Sequence, residues 1–330
     1  TQVVDGSVIE KTTVNYSIRS IGGVKTVGGT TYVTLSSLSA NALAFDVTVC
    51  AMPENLTMSG FSASWNVVGD NNGYAVAYGN STIAANENRL DMSTIQPGTY
   101  DVKVCTRGNG GATLASNYTS AIKVQRLNAP YDIKITPNDG NGKLECTQGD
   151  TLTGFVAGYT AYIGTESTVV EQDKFGQMYD YITVKGTSLS MTADANQYNS
   201  DNTVYYMTSP RSATKMFTRL TAPVFASGCI SSLTELVWEA SDNINTAVYN
   251  PSYILYIDNI VAYEGVSTRY SLVGLDAGNY LVTVKAVGNN TQYLDSEVSR
   301  SFSFTKLATP VMNIENNSYV WNSDATVNSY

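Results

Sequence analysis

The pattern of a basic residue, a leucine, two small residues and a proline constrains the fold more than any other feature of this sequence. It reads RLNAP at Arg126–Pro130, RLTAP at Arg219–Pro223 and KLATP at Lys306–Pro310. The basic residues are 93 and 87 residues apart, close to the length of one antiparallel β-sandwich. Repetition at this period indicates a tandem array of small domains, each with its own core.

The segments between these junctions have the pattern of β-strands. Short apolar runs alternate with turn residues, as in YDVKV at Tyr100–Val104 and YLVTVKAV at Tyr280–Val287. The sequence NDGNGK at Asn138–Lys143 contains Asp-Gly and Asn-Gly, the dipeptides typical of tight hairpins. We therefore predict an all-β fold of tandem β-sandwich domains.

The junction proline predicts a short and stiff connection. The leucine ends the last strand of one domain, and proline opens the next on an edge strand, where its missing N–H costs no ladder hydrogen bond. Proline also fixes φ and favours an extended residue before it. We therefore expect consecutive domains to form a rod.

The same landmarks follow the junctions in the same order. Trp238 and Trp321 lie 15 and 11 residues after a junction proline, and a tyrosine-led strand follows. LDAGNY ends at Tyr280, and its counterpart IQPGTY ends at Tyr100. This order resembles the fibronectin type III family, which implies that the tryptophans fill the core between two sheets and that the tyrosines close a corner. The resemblance is strongest over 220–306. It is weaker over 127–219, where Cys146 replaces the tryptophan, and in 307–330 it covers only opening strands.

The first segment permits two interpretations. FDVTVC at Phe45–Cys50 matches YDVKVC at Tyr100–Cys105. The two are either equivalent strands of successive repeats, or the second and sixth strands of one domain with Trp65 on the third. Only 20 residues separate Phe45 from Trp65, which favours the second interpretation and gives the Cys…Trp…Cys order of immunoglobulin domains.

These considerations predict five parts of the chain. Residues 1–30 are unassigned and fit the end of a preceding domain. Residues 31–126 form an immunoglobulin-like sandwich, 127–219 and 220–306 form fibronectin type III-like sandwiches, and 307–330 begin a further, incomplete domain. An opening fragment cannot bury its own apolar face. We therefore expect that the protein continues beyond Tyr330, or that another chain completes the fragment in head-to-tail self-assembly.

Cys50 and Cys105 are candidate disulfide partners under the immunoglobulin-like interpretation. Both cysteines are in step with the polar residues of their strands, so a core disulfide requires a bulge in each strand. Free thiols and pairing at the surface are the alternatives.

Four tyrosines in the second segment are candidates for surface contacts: Tyr179, Tyr181, Tyr205 and Tyr206. Neighbouring residues of a strand face opposite sides, so one of Tyr205 and Tyr206 should be exposed. An exposed tyrosine offers a rigid ring and a polar tip to a sugar or a protein. The alternative is packing in the core or at its rim.

Composition excludes several classes of function. The chain contains no histidine, which removes Ser-His-Asp and Cys-His catalysis and most zinc sites. A net charge of −9 argues against nucleic acid as a partner. No apolar run is long enough to span a bilayer. We therefore predict a non-enzymatic protein without cofactor or metal.

The function that fits these features is extracellular, structural and adhesive. We expect a repeat stalk that projects or assembles a surface structure and binds a cell surface or a glycan. Its partners would be other protein subunits or a cell-surface or glycan ligand. KLATP-type junctions look like those of large Gram-positive surface proteins and of phage tail proteins. The alternatives are therefore a virion-exposed tail or fibre component and the accessory region of a secreted carbohydrate-active enzyme.

Overall fold

A computed structural model describes residues 12–16, 19–35, 43–69, 71–109, 113–164, 168–231 and 234–321. These residues form two compact units. The first contains the described residues up to Asn128 together with Asp150–Ala157 and Asp194–Pro210, and the second contains the rest. Secondary structure in the described residues is β-strand apart from one 3₁₀ segment, Gln172–Asp180. They include no helix with the length and hydrophobicity of a membrane span.

The strands before Cys50 do not belong to either of the two facing sheets of the first sandwich. They are β1 (Thr12–Tyr16), β2 (Ile21–Val27), β3 (Thr30–Leu35) and β4 (Leu43–Val49). β1 pairs with β4 in antiparallel register, and β2 pairs with β3. The expected placement of Phe45–Cys50 as the second strand of the first sandwich is therefore wrong. Alternating polarity identifies a strand but does not say which sheet the strand joins.

The first sandwich has two facing sheets that share one hydrophobic core. One sheet has the order β5-β6-β9. The facing sheet contains β8, β7, β10 and β12 in that order, and two strands from later in the chain extend it beyond β12. Its strands are β5 (Thr57–Ser59), β6 (Ser62–Ser64), β7 (Tyr74–Tyr78), β8 (Ser81–Ala85), β9 (Arg89–Asp91), β10 (Gly98–Thr106), β11 (Thr113–Leu114) and β12 (Ile122–Arg126). Trp65 directly follows β6, the second strand of this sandwich, and packs edge-on against Tyr74 at 5.2 Å.

The second sandwich replaces one strand with the 3₁₀ segment. Its strands are β13 (Tyr131–Asn138), β14 (Asn141–Thr147), β15 (Gly158–Ile163), β16 (Thr168–Glu171), β17 (Thr187–Asp194) and β20 (Lys215–Arg219). Two short strands between β17 and β20, β18 (Gln197–Tyr198) and β19 (Val204–Met207), instead extend the larger sheet of the first sandwich beside β12. β13 and β14 form the predicted hairpin, with Asp139 and Gly140 at positive φ in its turn. The facing sheet has the order β16-β15-β17-β20. Phe175, Met178 and Tyr179 of the 3₁₀ segment are buried in the core.

The third sandwich repeats the strand order of the first. Its strands are β21 (Ile230–Ser231), β22 (Glu235–Val237), β23 (Ser252–Ile257), β24 (Ile260–Gly265), β25 (Arg269–Ser271), β26 (Gly278–Val287), β27 (Tyr293–Leu294) and β28 (Phe302–Lys306). β21-β22-β25 faces β24-β23-β26-β28 across a core that contains Trp238. A separate hairpin follows, made of β29 (Met312–Glu315) and β30 (Ser318–Trp321).

The tryptophans and corner tyrosines have different surroundings. Trp65 and Trp238 are buried, whereas Trp321 is 47 % exposed, so the prediction that Trp321 lies in a core is wrong for the described residues. The hairpin of β29 and β30 buries none of its side chains. Tyr100 donates its hydroxyl to the Gln96 carbonyl at 2.9 Å, and Tyr280 donates to the Asp276 carbonyl at 2.9 Å. Both therefore close the corner that the family resemblance implies.

Candidate functional site: the arms at the junctions

Three equivalent segments of the described chain, which we call arms, leave the long strands β10, β17 and β26. They are arm 1 (Thr113–Thr119), arm 2 (Tyr206–Ser212) and arm 3 (Tyr293–Ser299). Their sequences TLASNYT, YMTSPRS and YLDSEVS share an apolar second residue, a serine at the fourth position and Ser or Thr at the seventh. This repeated pattern is visible in the sequence, but it is too short and too polar to be recognised as functional without the structure.

Each arm adds a short parallel strand to the last strand that precedes the junction. β11 pairs with β4, β19 with β12, and β27 with β20. The register is the same each time, because the apolar second residue of the arm faces the final strand residue. These pairs are Leu114 with Val49, Met207 with Arg126, and Leu294 with Arg219.

A backbone hydrogen bond closes each junction that has an arm, one residue beyond the end of the strand. Leu127 N–H donates to the Met207 carbonyl at 3.1 Å, and Leu220 N–H donates to the Leu294 carbonyl at 3.0 Å. Cys50 N–H donates to the Leu114 carbonyl at 2.9 Å, so Cys50 occupies the place of the junction leucine. The junction pattern did not predict this earlier junction, which ends at the buried Pro53, because it lacks both the basic residue and the leucine.

Serine and threonine hydroxyl groups of each arm accept hydrogen bonds from backbone N–H groups of the strand that the arm leaves. Ser116 and Ser296 accept the backbone N–H groups of Thr106 and Ala286, each at 2.9 Å. The seventh residue of each arm does the same further down the strand: Thr119 accepts from Val104, Ser212 from Met191 and Ser299 from Val284. Buried N–H groups are costly without a partner. These hydroxyl groups therefore replace the neighbouring strand as acceptors where the arm covers the edge of the sheet.

The arms carry side chains into neighbouring cores. Leu294 of arm 3 is buried in the core of the second sandwich, together with Leu189 and Phe217. Met207 of arm 2 and the preceding Tyr205 are buried in the core that contains Trp65. The first and second cores are therefore complete only when the following arm is in place.

Comparisons with known proteins give a limited result. No protein-family model and no curated protein matches the chain. The chain is similar to the crystal structure of the chicken CNTN1 FN1–FN3 domains, with 13 % identity over 78 % of this chain and 98 % of that chain and a TM-score of 0.27. It is also similar to the central fibronectin-III array of RIM-binding protein, with 12 % identity over 82 % of this chain and 79 % of that chain and a TM-score of 0.18.

Both similar structures are arrays of fibronectin III domains. The fold assignment depends on the sheets themselves. In the third sandwich a three-stranded sheet faces a four-stranded one, and in the first a three-stranded sheet faces the same four strands extended by β19 and β18. The described modules are β-sandwiches with separate cores. The predicted all-β fold of tandem modules is confirmed.

The basic residue of the junction pattern has a role within its own module. Lys306 Nζ donates to the backbone carbonyls of Leu272, Val273 and Leu275, which lie in the loop before the corner tyrosine. Arg126 Nη1 donates to the carbonyls of Ser93 and Ile95 in the equivalent loop of the first module. The positive charge therefore fastens this loop to the last strand of the module.

Arg219 makes different contacts, because in the second module the 3₁₀ segment Gln172–Asp180 lies where the other modules have the loop before the corner tyrosine. Its guanidinium stacks on the Tyr179 ring at 4.9 Å and pairs with Glu297 at 3.2 Å. Close by, Asp295 is 3 % exposed and binds Lys285 at 2.8 Å. Burial raises the pKa of Tyr179 to about 12. These residues line a groove of about 500 Å³ beside arm 3, and its cations are already paired with carboxylates.

The tyrosines predicted as surface contacts are mostly buried. Tyr205 and Tyr206 are each 2 % exposed, so the expectation that one of them faces solvent is wrong. They point to opposite sides of β19, but both sides are covered. Tyr205 packs against Tyr198 in the first module's core, and Tyr206 stacks on Phe155 at 4.8 Å. Tyr179 is buried as well, and Tyr181 is partly buried.

The cysteines are free thiols in the structure. The candidate Cys50–Cys105 disulfide is therefore absent from it. Cys50 lies at the junction, where its Sγ is 3.7 Å from the Arg107 carbonyl, and Cys105 is buried on β10. Burial raises the pKa of both thiols, so neither has the low pKa of a reactive cysteine. In the described residues no group of His, Cys, Asp or Glu is arranged to hold a metal ion.

Proposed function

We propose that the chain is a non-enzymatic structural and adhesive protein of an extracellular surface. Its modules would form a stalk that projects or assembles a surface structure and presents loops to a cell-surface or glycan ligand. The observation that supports this proposal is the arm, which couples a module to the last strand before it at successive junctions.

The coupling suits a part that transmits force. Domains joined by a small polar interface generally move relative to one another. Here the second and third modules share a buried leucine, backbone hydrogen bonds and a two-residue parallel ladder. A pull along the chain must break these contacts before the modules separate. A catalytic protein has no need for such a device at repeated positions.

The composition of the chain supports an extracellular role. Charged residues are only 14 % of the chain, and the net charge is −9. An acidic surface favours solubility and disfavours nonspecific binding to nucleic acid. A virion component or an accessory region of a carbohydrate-active enzyme would use the same coupling, but no feature of the structure favours either one.

Force spectroscopy on single chains tests the structural role. Pulling from the two termini should give separate unfolding events, one module at a time. Leu294→Asp should lower the force of the event that unfolds the second module, because a buried leucine is replaced by a charge. Leu281→Asp is the matched control, because Leu281 is exposed on β26 of the third module. Equal forces for wild type and Leu294→Asp would refute the role of the arm in transmitting force.

The adhesive role needs its own assay. A glycan array and binding to intact cells should show retention of the wild-type chain, and the arm variant should bind equally well, because the ligand would be held by exposed loops. Absence of binding to any glycan or cell type would leave a purely structural protein.

A further inference from the structure

The last strand of the third module has an open edge. In the described residues β4, β12 and β20 each have an arm on one side and a strand of their own sheet on the other. β28 ends its sheet after β26, and no described strand pairs with its other side. The junction leucine reflects this difference, because Leu127 and Leu220 are 0 % and 1 % exposed whereas Leu307 is 42 % exposed.

We propose that the open edge of β28 is an acceptor for an extended segment with the pattern of the arms, an apolar residue followed two positions later by a serine. The hairpin of β29 and β30 does not pair with this edge. This hairpin follows the junction Lys306–Pro310 in the place where β13 and β14 follow Arg126–Pro130. Its apolar side chains, among them Met312, Ile314 and Tyr319, are exposed. The described residues that follow β28 therefore leave its edge uncovered.

The equivalent junctions specify how the arm would bind. At the preceding junction, Thr218 N–H donates to the Gln292 carbonyl at 2.8 Å and Leu220 N–H donates to the Leu294 carbonyl. By the same register, the donors on the open edge are the N–H groups of Thr305 and Leu307. The residue opposite Lys306 would be apolar, like Leu114, Met207 and Leu294, and a serine would follow two positions later.

The occupant is therefore defined by its sequence pattern as well as by its β conformation. An open edge accepts almost any extended segment through backbone hydrogen bonds, and side-chain pockets supply the selection. Here the selecting feature is the exposed Leu307 and the surface beside it. A second copy of this chain is excluded as a donor by its described arms, because all three are already paired within the chain.

A peptide with the sequence of Gly288–Ser299 tests the acceptor on the intact chain. It contains arm 3 and the residues that lead into it, and millimolar peptide approximates the effective concentration of a tethered segment. Amide hydrogen exchange is the readout. Without peptide, the Leu307 amide should exchange quickly, whereas those of Leu127 and Leu220 should be protected. With peptide, exchange at Thr305 and Leu307 should slow by about tenfold or more, as expected for new backbone hydrogen bonds.

A second peptide that carries Leu294→Asp is the control, and it should give no protection. The proposal is overturned if the wild-type peptide leaves Leu307 unprotected or if both peptides protect it equally. This inference assumes the module array of the proposed function. Protection of Leu127 and Leu220 without peptide reports on that array separately, so a failure at Leu307 alone removes the acceptor and leaves the array intact.

Discussion

Leu220 donates its backbone N–H to the carbonyl oxygen of Leu294 at 3.0 Å, and the two side chains are buried in each other's modules. Leu220 follows the last strand of the second module but packs in the core of the third. Leu294 belongs to arm 3 of the third module but packs in the core of the second. This exchange makes the stability of each module depend on a residue supplied by its neighbour.

The first prediction follows from that dependence. Leu294→Ala should destabilise the second module by about 2–5 kcal/mol, the cost of truncating a fully buried leucine. Amide exchange at Ala161 and Leu189, which are buried on β15 and β17, measures the loss. Leu281→Ala, at an exposed position of the third module, should leave the exchange unchanged. Equal effects of the two variants would mean that Leu294 does not contribute to the second core.

The second prediction concerns the close approach at Gly288. A Cβ at this position would lie 2.2 Å from the Tyr293 carbonyl oxygen and 2.6 Å from the Leu294 carbonyl carbon, both backbone atoms. Gly288→Ala should therefore displace arm 3 and release the Leu220 amide to faster exchange. Gly274→Ala is the control, because its Cβ would meet nothing within 4 Å. Unchanged protection of Leu220 in the Gly288 variant would contradict this packing.

The third prediction concerns the basic residue of the junction. Arg126→Met keeps an apolar stem and removes the donor to the carbonyls of Ser93 and Ile95. We expect the first module to lose about 1.5–3 kcal/mol, as for hydrogen bonds that involve a charged group. Denaturant unfolding with amide exchange at Val102 and Val104 measures it. Lys123→Met, on the exposed side of the same strand, should change stability little, and a similar loss there would argue for a general charge effect.

The fourth prediction concerns the serine at the end of arm 3. Ser299→Ala leaves the N–H of Val284 without its acceptor at a buried position, which costs about 1–3 kcal/mol. Ser299→Thr should restore most of the stability, because Thr119 fills the equivalent role in arm 1. Thermal unfolding of the wild type and the two variants measures the loss and the rescue. If threonine does not restore stability, the loss in Ser299→Ala comes from packing and not from the hydrogen bond.

The fifth prediction is a dependence on alkaline pH. Burial raises the pKa of Cys146 from 9.0 to about 11. The unfolded chain therefore ionises this thiol at lower pH than the folded chain does. The stability associated with the neutral thiol is fully present below about pH 9 and is lost as the pH rises towards 11. Cys146→Ala should weaken this alkaline loss in the second module, measured by amide exchange at Leu189. An identical pH profile in the variant would show that Cys146 is not responsible.

Local sequence patterns predicted the elements that depend on neighbouring residues. The hairpin at Asn138–Lys143 forms because Asp139 and Gly140 tolerate positive φ. Trp238, which the order of tryptophan and corner tyrosine assigns to a core, is buried, and so is Trp65. These signals are short-range, so they can be read without knowing which segments meet.

Signals that depend on distant partners gave wrong or incomplete predictions. Strand alternation divides Tyr205 and Tyr206 between core and solvent, but β19 lies between two covered faces and both rings are buried. The junction pattern does not predict what its basic residue binds, because the carbonyl groups that accept from it lie about 30 residues away in sequence. Cys50 resembles Cys105 because their strands look alike, although Cys50 replaces a junction leucine.

The amino-acid sequence by itself determined that this protein is a tandem array of all-β modules, because strand alternation, turn dipeptides and repeated junctions are written in consecutive residues. Only the tertiary structure decided how the modules are joined. The arms gain their hydrogen bonds and their burial from strands up to about 80 residues away, as Leu220 and Leu294 show. An isolated two-residue strand has no stability of its own. The sequence of an arm therefore does not predict a strand until its partner strand is known.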